Sequence, residues 1–145
     1  MVSRVPQGFG EACTWLGGLR MHGTGVAQDK QRAGLLMLKG CELKNGYACR
    51  VLGDFYTTGC LEHKVLPRDM ALAFKAFHLG CATDSMPDGE ACSRAAQMLL
   101  RGEGCDQNQA RAELSLFRYT VANARFSRVM LAAILFLLCN EFAAF

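Results

Sequence analysis

The sequence predicts an all-α protein, an α-solenoid of about three helix hairpins followed by a C-terminal hydrophobic helix. Three observations carry this. The segments from Gly10 to Cys41, Gly46 to Cys81 and Gly89 to Thr120 align, and each opens on Gly-x-Ala-Cys. Apolar residues return at helical spacing around a glycine in each, at Gly23, Gly59 and Gly102. An Asp or Asn four residues before an alanine then follows: Asp29/Ala33, Asp69/Ala73 and Asn108/Ala112. The opening cysteines lie 36 residues apart, Cys13 to Cys49, and then 43, Cys49 to Cys92. The extra residues fall after Gly59 and between Cys81 and Cys92, in loops, where insertions are tolerated.

Residues 1–9 are a lead-in, and 10–45, 46–88 and 89–125 are the three repeats. The first helix of each runs about 12 residues from the Gly-x-Ala-Cys, with an apolar stripe such as Cys49, Leu52, Phe55 and Tyr56. The glycine after it is a natural helix end. The second helix starts at Asp29, Asp69 or Asn108, whose side-chain oxygens suit an N-cap. It continues through Ala33, Leu36, Met37 and Gly40, or Ala73, Phe74, Phe77 and Gly80. Gly17, Gly53, Ala33 and Ala73 let helices approach closely, and Trp15, Phe55, Phe74, Phe77 and Phe117 are expected to fill between layers. One hairpin cannot bury both faces, so stacked hairpins share a core. Residues 126–145 close the chain. The run "VMLAAILFLLC", Val129 to Cys139, is too short for the roughly 20 residues of a membrane span. It is expected to pack as a terminal helix, with membrane contact through 129–145 as the alternative.

A chain of 145 residues suits one domain. The net charge of +3, with no run of five Lys/Arg, argues against a nucleic-acid partner. Eight cysteines are many for this length. With no CxxC, no HExxH and no Cys/His cluster at zinc spacing, neither a metal site nor a cofactor is expected. "MVSRVPQGFGEAC" contains no apolar run of signal-peptide length. Disulfides would thus require an export route without such a signal, or a mature sequence cut from a longer one. The repeat pattern also opens with Cys13 lacking an upstream mate, as in a fragment or a short paralogue.

No catalytic residue is expected. His22, His63 and His78 suit surface or packing roles. Ser-x-x-Lys and Gly-x-Ser-x-Gly are absent. Gly23-Thr24-Gly25 and Gly102-Glu103-Gly104 read as turns, since neither continues into a P-loop Lys-Ser/Thr. A solenoid does present a concave face of first helices, suited to a protein segment. Arg20, Asp54, Tyr56 and Arg94 are its candidates here.

"LGDFYTTG", "GTGVAQDKQRA" and "KGCELKNGYAC" resemble Sel1-like repeats, a tetratricopeptide-related class. A cysteine ending one hairpin and another opening the next is similar to the cysteine-rich Sel1-like repeat family (the Hcp, β-lactamase-like family). The last unit, "GEACSRAAQMLLRGEGCDQNQARAEL", and the longer Cys81-to-Cys92 spacing resemble its mitochondrial cytochrome c oxidase assembly branch. The resemblance covers about Gly10 to Asn123; the apolar end departs from that branch, which is polar there.

Hairpin stacking opens two cysteine pairings. One is Cys41–Cys49 with Cys81–Cys92; the other is Cys13–Cys41 with Cys49–Cys81. The short loops favour the first, and the resemblance implies it. Cys41–Cys49 would then contribute about 2–3 kcal/mol by the loop-closure account. Reduced thiols buried as small hydrophobes are the alternative. Cys60 and Cys105 fall outside the paired set; Cys105 takes the place of Val26 and is expected to pack.

The resemblance implies a non-catalytic protein of the mitochondrial intermembrane space. It would bind protein partners in the assembly of respiratory-chain complexes, chiefly cytochrome c oxidase. The alternatives are a β-lactamase-like or penicillin-binding hydrolase of the bacterial Hcp type, and a cytosolic Sel1-repeat adaptor.

Overall fold

The computed structural model describes residues 8–59, 67–83 and 87–124. Six helices fill them: α1 (Phe9–His22), α2 (Lys30–Glu42), α3 (Gly46–Thr58), α4 (Met70–Ala82), α5 (Gly89–Arg101) and α6 (Gln109–Ala124). The order is that of a solenoid. α1 packs on α2, α3 on α4 and α5 on α6, while α2–α3 and α4–α5 join one hairpin to the next. The described residues contain no strand.

Local chemistry repeats with the fold. Asp29 and Asp69 cap α2 and α4 by accepting the N–H of Arg32 (2.9 Å) and Leu72 (3.0 Å). Asn108 accepts the N–H of Arg111 at 2.9 Å in the same way. Gly23 and Gly102 end α1 and α5 in the left-handed region, at φ 71° and 70°, where a side chain would be strained. The backbone N–H of each second-helix cap returns to the first helix: Asp29 to the Arg20 carbonyl, Asp69 to Tyr56 and Asn108 to Leu99, at 2.9, 2.9 and 3.0 Å. Arg20, Tyr56 and Leu99 hold the same repeat position, so the turn is built three times from one plan.

The core runs through all three hairpins, from Met37 and Leu52 through Phe74 and Phe77 to Leu99 and Ala112. Phe74 and Phe77 lie inside it and Phe55 packs at its margin. Trp15 and Phe117 do not fill between layers: they are 75% and 64% exposed. Trp15 takes the repeat position of Val51, which is buried in the middle hairpin. Phe117 takes that of Leu38 and His78, which have a following hairpin against them. Both aromatic residues therefore stand on the outer faces of the array formed by the described residues. No helix of the described residues is long and apolar enough to cross a membrane. The expected helix over 126–145, the lead-in at 1–7, Cys60 and His63 lie outside the described residues.

Candidate functional site: the stapled joints and the surface they hold

Two joints connect the hairpins, and each uses the same four residues. Gly40-Cys41 ends α2 and meets Ala48-Cys49 at the start of α3. Gly80-Cys81 ends α4 and meets Ala91-Cys92 at the start of α5. The glycines allow the contact. A β-carbon on Gly40 would stand 2.9 Å from the Ala48 Cβ and 2.7 Å from the Thr14 Oγ1. On Gly80 it would stand 3.0 Å from the Cys49 Cβ and 3.1 Å from the Ala91 Cβ. At such range the cysteines bond: Cys41–Cys49 and Cys81–Cys92 are disulfides, each with a Cα separation of 4.5 Å.

The polar groups of the joints repeat too. Asn45 and Asp88 cap α3 and α5, accepting the N–H of Ala48 (3.0 Å) and Ala91 (2.9 Å). Their own N–H groups donate to the Gly40 and Gly80 carbonyls, both at 3.0 Å. In the first joint Lys44 takes a left-handed φ of 62° to make the turn. The second joint closes the same geometry with three more residues between the cysteines.

The four residues expected on the concave face divide. Asp54 and Arg94 come together in a charged cluster between α3 and α5. There Arg50 Nη1 lies 3.2 Å from Asp54 and its Nε 3.5 Å from Asp88, with Arg94 Nη1 4.0 Å from Asp54 and its Nε 3.1 Å from Glu90. Arg50 also sits over the Tyr47 ring, 4.7 Å from its centre. Burial raises the Asp54 carboxyl above its ordinary value, against the pull of Arg94 and Arg50. Tyr56 does not reach this surface. It is buried in the core that runs through the hairpins. Arg20 shares its repeat position and lines a separate groove with Leu16, Arg32, Leu35 and Leu36. Sequence reasoning missed Arg50, whose i, i+4 partner Asp54 was the available signal.

The remaining candidates are placed as follows. Cys13 is buried and free, at the repeat position of Cys49 and Cys92. Cys105 is half-buried against the core, and its thiol donates to the Glu103 carbonyl at 3.6 Å. Burial pushes that thiol up, opposed by Arg111, so it is a poorer nucleophile than a free cysteine. His22 ends α1, exposed. His78 stacks on Phe74 with ring centres 5.7 Å apart. The hydroxyls of Thr14, Thr57, Thr58, Ser115 and Thr120 donate to backbone carbonyls of their own helices, and that of Thr83, just past α4, donates to the Gly80 carbonyl. Among the described residues no group of three His, Cys, Asp or Glu could hold a metal ion.

No protein-family model matches the chain. No curated protein matches it either. Solved structures do. A Sel1 repeat protein from Oxalobacter formigenes superposes with a TM-score of 0.69 at 21% identity, over 83% of this chain and 47% of that one. A protective antigen of uropathogenic Escherichia coli displaying an SLR fold gives 0.63 at 23% identity, over 79% and 23%. Helicobacter pylori cysteine rich protein B gives 0.59 at 24% identity, over 88% and 90%. The chain thus spans less than half the length of the first two. These likenesses establish the fold, an all-α solenoid of Sel1-like hairpins.

Proposed function

We propose that this is a non-catalytic, disulfide-stapled repeat protein that binds protein partners during assembly of mitochondrial respiratory-chain complexes, chiefly cytochrome c oxidase. Its place in this reading is the intermembrane space. The observation that carries it is the pair of disulfides at the joints, Cys41–Cys49 and Cys81–Cys92. Such bonds persist in oxidising compartments and are rare where glutathione keeps thiols reduced. The intermembrane space supplies the oxidising conditions without a secretory signal. The process and the compartment rest on the family resemblance of the last repeat and of the Cys81-to-Cys92 spacing. The binding role rests on the solenoid, whose first helices offer an extended face carrying the Arg50–Asp54–Arg94 cluster.

The test is made on the full chain in cells. A tagged protein is localised by protease protection of mitochondria, and its thiols are alkylated without reductant and mapped by mass spectrometry. Cys41, Cys49, Cys81 and Cys92 are expected to stay unmodified in an intermembrane-space pool, and depletion is expected to lower assembled cytochrome c oxidase. Eight alkylated cysteines in a cytosolic pool would instead favour the adaptor reading. Nitrocefin turnover by purified protein, lost with a single side-chain change, would overturn the non-catalytic role.

A further inference from the structure

The outward sides of the second helices carry one pattern in two dimensions. Three repeat positions, spaced i, i+3 and i+7, share one face of each second helix. Along α2 they hold Arg32, Leu35 and Lys39. Along α4 they hold Leu72, Lys75 and Leu79, and along α6 Arg111, Leu114 and Arg118. Basic residues and leucines therefore alternate along each helix, and again from each helix to the next. All nine are exposed, the leucines by 36–55%. This exposure does not come from standing at an end of the array. Hairpins pack on both sides of α4, and Leu72, Lys75 and Leu79 still stay open.

None of the nine positions holds an acid. They carry +5 where the whole chain carries +3, so the remaining residues sum to −2. Arg32 and Lys39 touch Asp29 (3.4 Å) and Glu42 (3.3 Å) at the two ends of α2. Lys75, Arg111 and Arg118 make no ion pair among the described residues, whereas Arg50, Arg94 and Arg101 of the first helices are all paired. Burial, then the charges of Arg111 and Arg118, lower the His78 pKa, so the α6 cations border α4. Each row is about 10 Å long, seven residues of helix rise. A linear segment can lie along one row, but it cannot answer an alternation that runs across three. An anionic lipid surface can. It offers negative head groups to the cations and acyl carbon to the leucines anywhere in its plane.

We propose that this face of the second helices docks on an anionic phospholipid bilayer. Its five cations sit at the head groups, and Leu35, Leu72, Leu79 and Leu114 reach the acyl boundary between them. The contact is peripheral, since no helix of the described residues is long and apolar enough to cross a membrane. The inference stands on the nine positions and their exposure, and not on the proposed function.

The test is co-sedimentation of the full chain with vesicles of phosphatidylcholine, alone or mixed with phosphatidylserine. Binding is expected to the mixed vesicles and not to the neutral ones, and to fall as salt is raised. Lys75→Gln with Arg118→Gln keeps good helix formers and should weaken binding at least about tenfold. Lys44→Gln with Arg101→Gln removes the same charge elsewhere and should leave binding nearly unchanged. Equal losses in the two pairs would mean adsorption by net charge and would overturn the face. Leu35→Gln with Leu114→Gln, at unchanged charge, should weaken binding at least about fivefold. No loss in that pair would mean that charge alone is read, as an acidic protein segment would read it, and would overturn the bilayer. Far-UV spectra matching that of the unmodified chain separate lost binding from lost fold. A positional readout completes the test. Trp15 is the sole tryptophan, so with Trp15→Phe an indole placed by Leu35→Trp or Leu114→Trp stands alone. Each is expected to shift its emission to the blue on mixed vesicles and to be quenched by brominated acyl chains. An unquenched indole at either site of the bound chain would show contact elsewhere, such as through 129–145, and would overturn the face.

Discussion

Hairpins one and two meet over the same glycine and hold it differently. A β-carbon on Gly17 would stand 3.0 Å from the terminal Cε of Met37. On Gly53 it would stand 2.6–2.8 Å from three atoms of the Phe77 ring. Both side chains are buried, but a methionine end has several rotatable bonds and can swing aside, whereas a flat ring must move as one body. Hairpin two is also stapled on both sides, by Cys41–Cys49 before it and Cys81–Cys92 after it, and hairpin one on one side only. The middle unit is therefore the rigid one, and the adaptable packing belongs to the first. One repeat plan thus gives different mechanics according to which side chain stands opposite a shared glycine.

The largest effect should come from emptying the ring's place. Phe77→Ala is expected to cost about 3–5 kcal/mol in urea unfolding, since the surroundings are held by two staples and cannot collapse. Met37→Ala, equally buried, should fall at the low end of about 2–5 kcal/mol because the first hairpin relaxes. Equal losses would break the contrast between a rigid and an adaptable unit. The staples come next. Replacing Cys41 and Cys49 by alanine, or Cys81 and Cys92, opens links of sequence separation 8 and 11. Loop-closure entropy gives each roughly 2.5–3 kcal/mol, with only a few tenths between them. A midpoint shift at one joint more than about 1 kcal/mol beyond the other would show that loop closure is not what the staples contribute.

Much of this was legible before any coordinates. Asp29, Asp69 and Asn108 announce helix starts because an acceptor oxygen there answers otherwise orphaned N–H groups. The glycines after the first helices announce helix ends for the matching reason. Cys41, Cys49, Cys81 and Cys92 marked the joints, because their spacing repeats around short loops; that Gly40 and Gly80 make the close approach there came only with the structure. Two further things were not legible. Trp15 and Phe117 have apolar side chains in helical phase, but their burial depends on a neighbouring hairpin being present, which one repeat's sequence does not encode. The Arg50–Asp88 and Arg94–Asp54 pairs join different hairpins, and their register follows from the stacking of α5 against α3.

The glycines sharpen the same contrast at smaller cost. Gly53→Ala drives a methyl into the Phe77 ring and should destabilise by about 1–3 kcal/mol. Gly17→Ala needs a shift of the Met37 end and a few tenths of an ångström from the Leu36 Cβ at 3.3 Å, and gains up to about 1 kcal/mol of helix preference, so it should cost less than Gly53→Ala and come out near neutral. Thermal unfolding of the two variants side by side decides this; a Gly17→Ala as costly as Gly53→Ala would mean that Met37 is as fixed as Phe77.

The smallest effect is one of pH, and it too separates the hairpins, because His78 takes the place of Leu38. Burial, then the guanidinium groups of Arg111 and Arg118, hold His78 below the ordinary value of 6.5, and its Nδ1 is buried without a partner. The folded chain thus favours the neutral ring, while the unfolded chain takes up a proton below 6.5. The contribution to stability is present in full above that value and is lost as the pH falls through the depressed folded value. Asp54 works with the opposite sign: its raised carboxyl adds stability below 3.8, lost as the pH rises through its folded value. Measured between pH 7.5 and pH 5, the unmodified chain should therefore weaken more than His78→Leu, and subtracting the two curves removes Asp54 from the comparison. Parallel curves would mean that the ring is solvated well enough to charge in place, and that α4 and α6 are looser about it than the stacking on Phe74 shows.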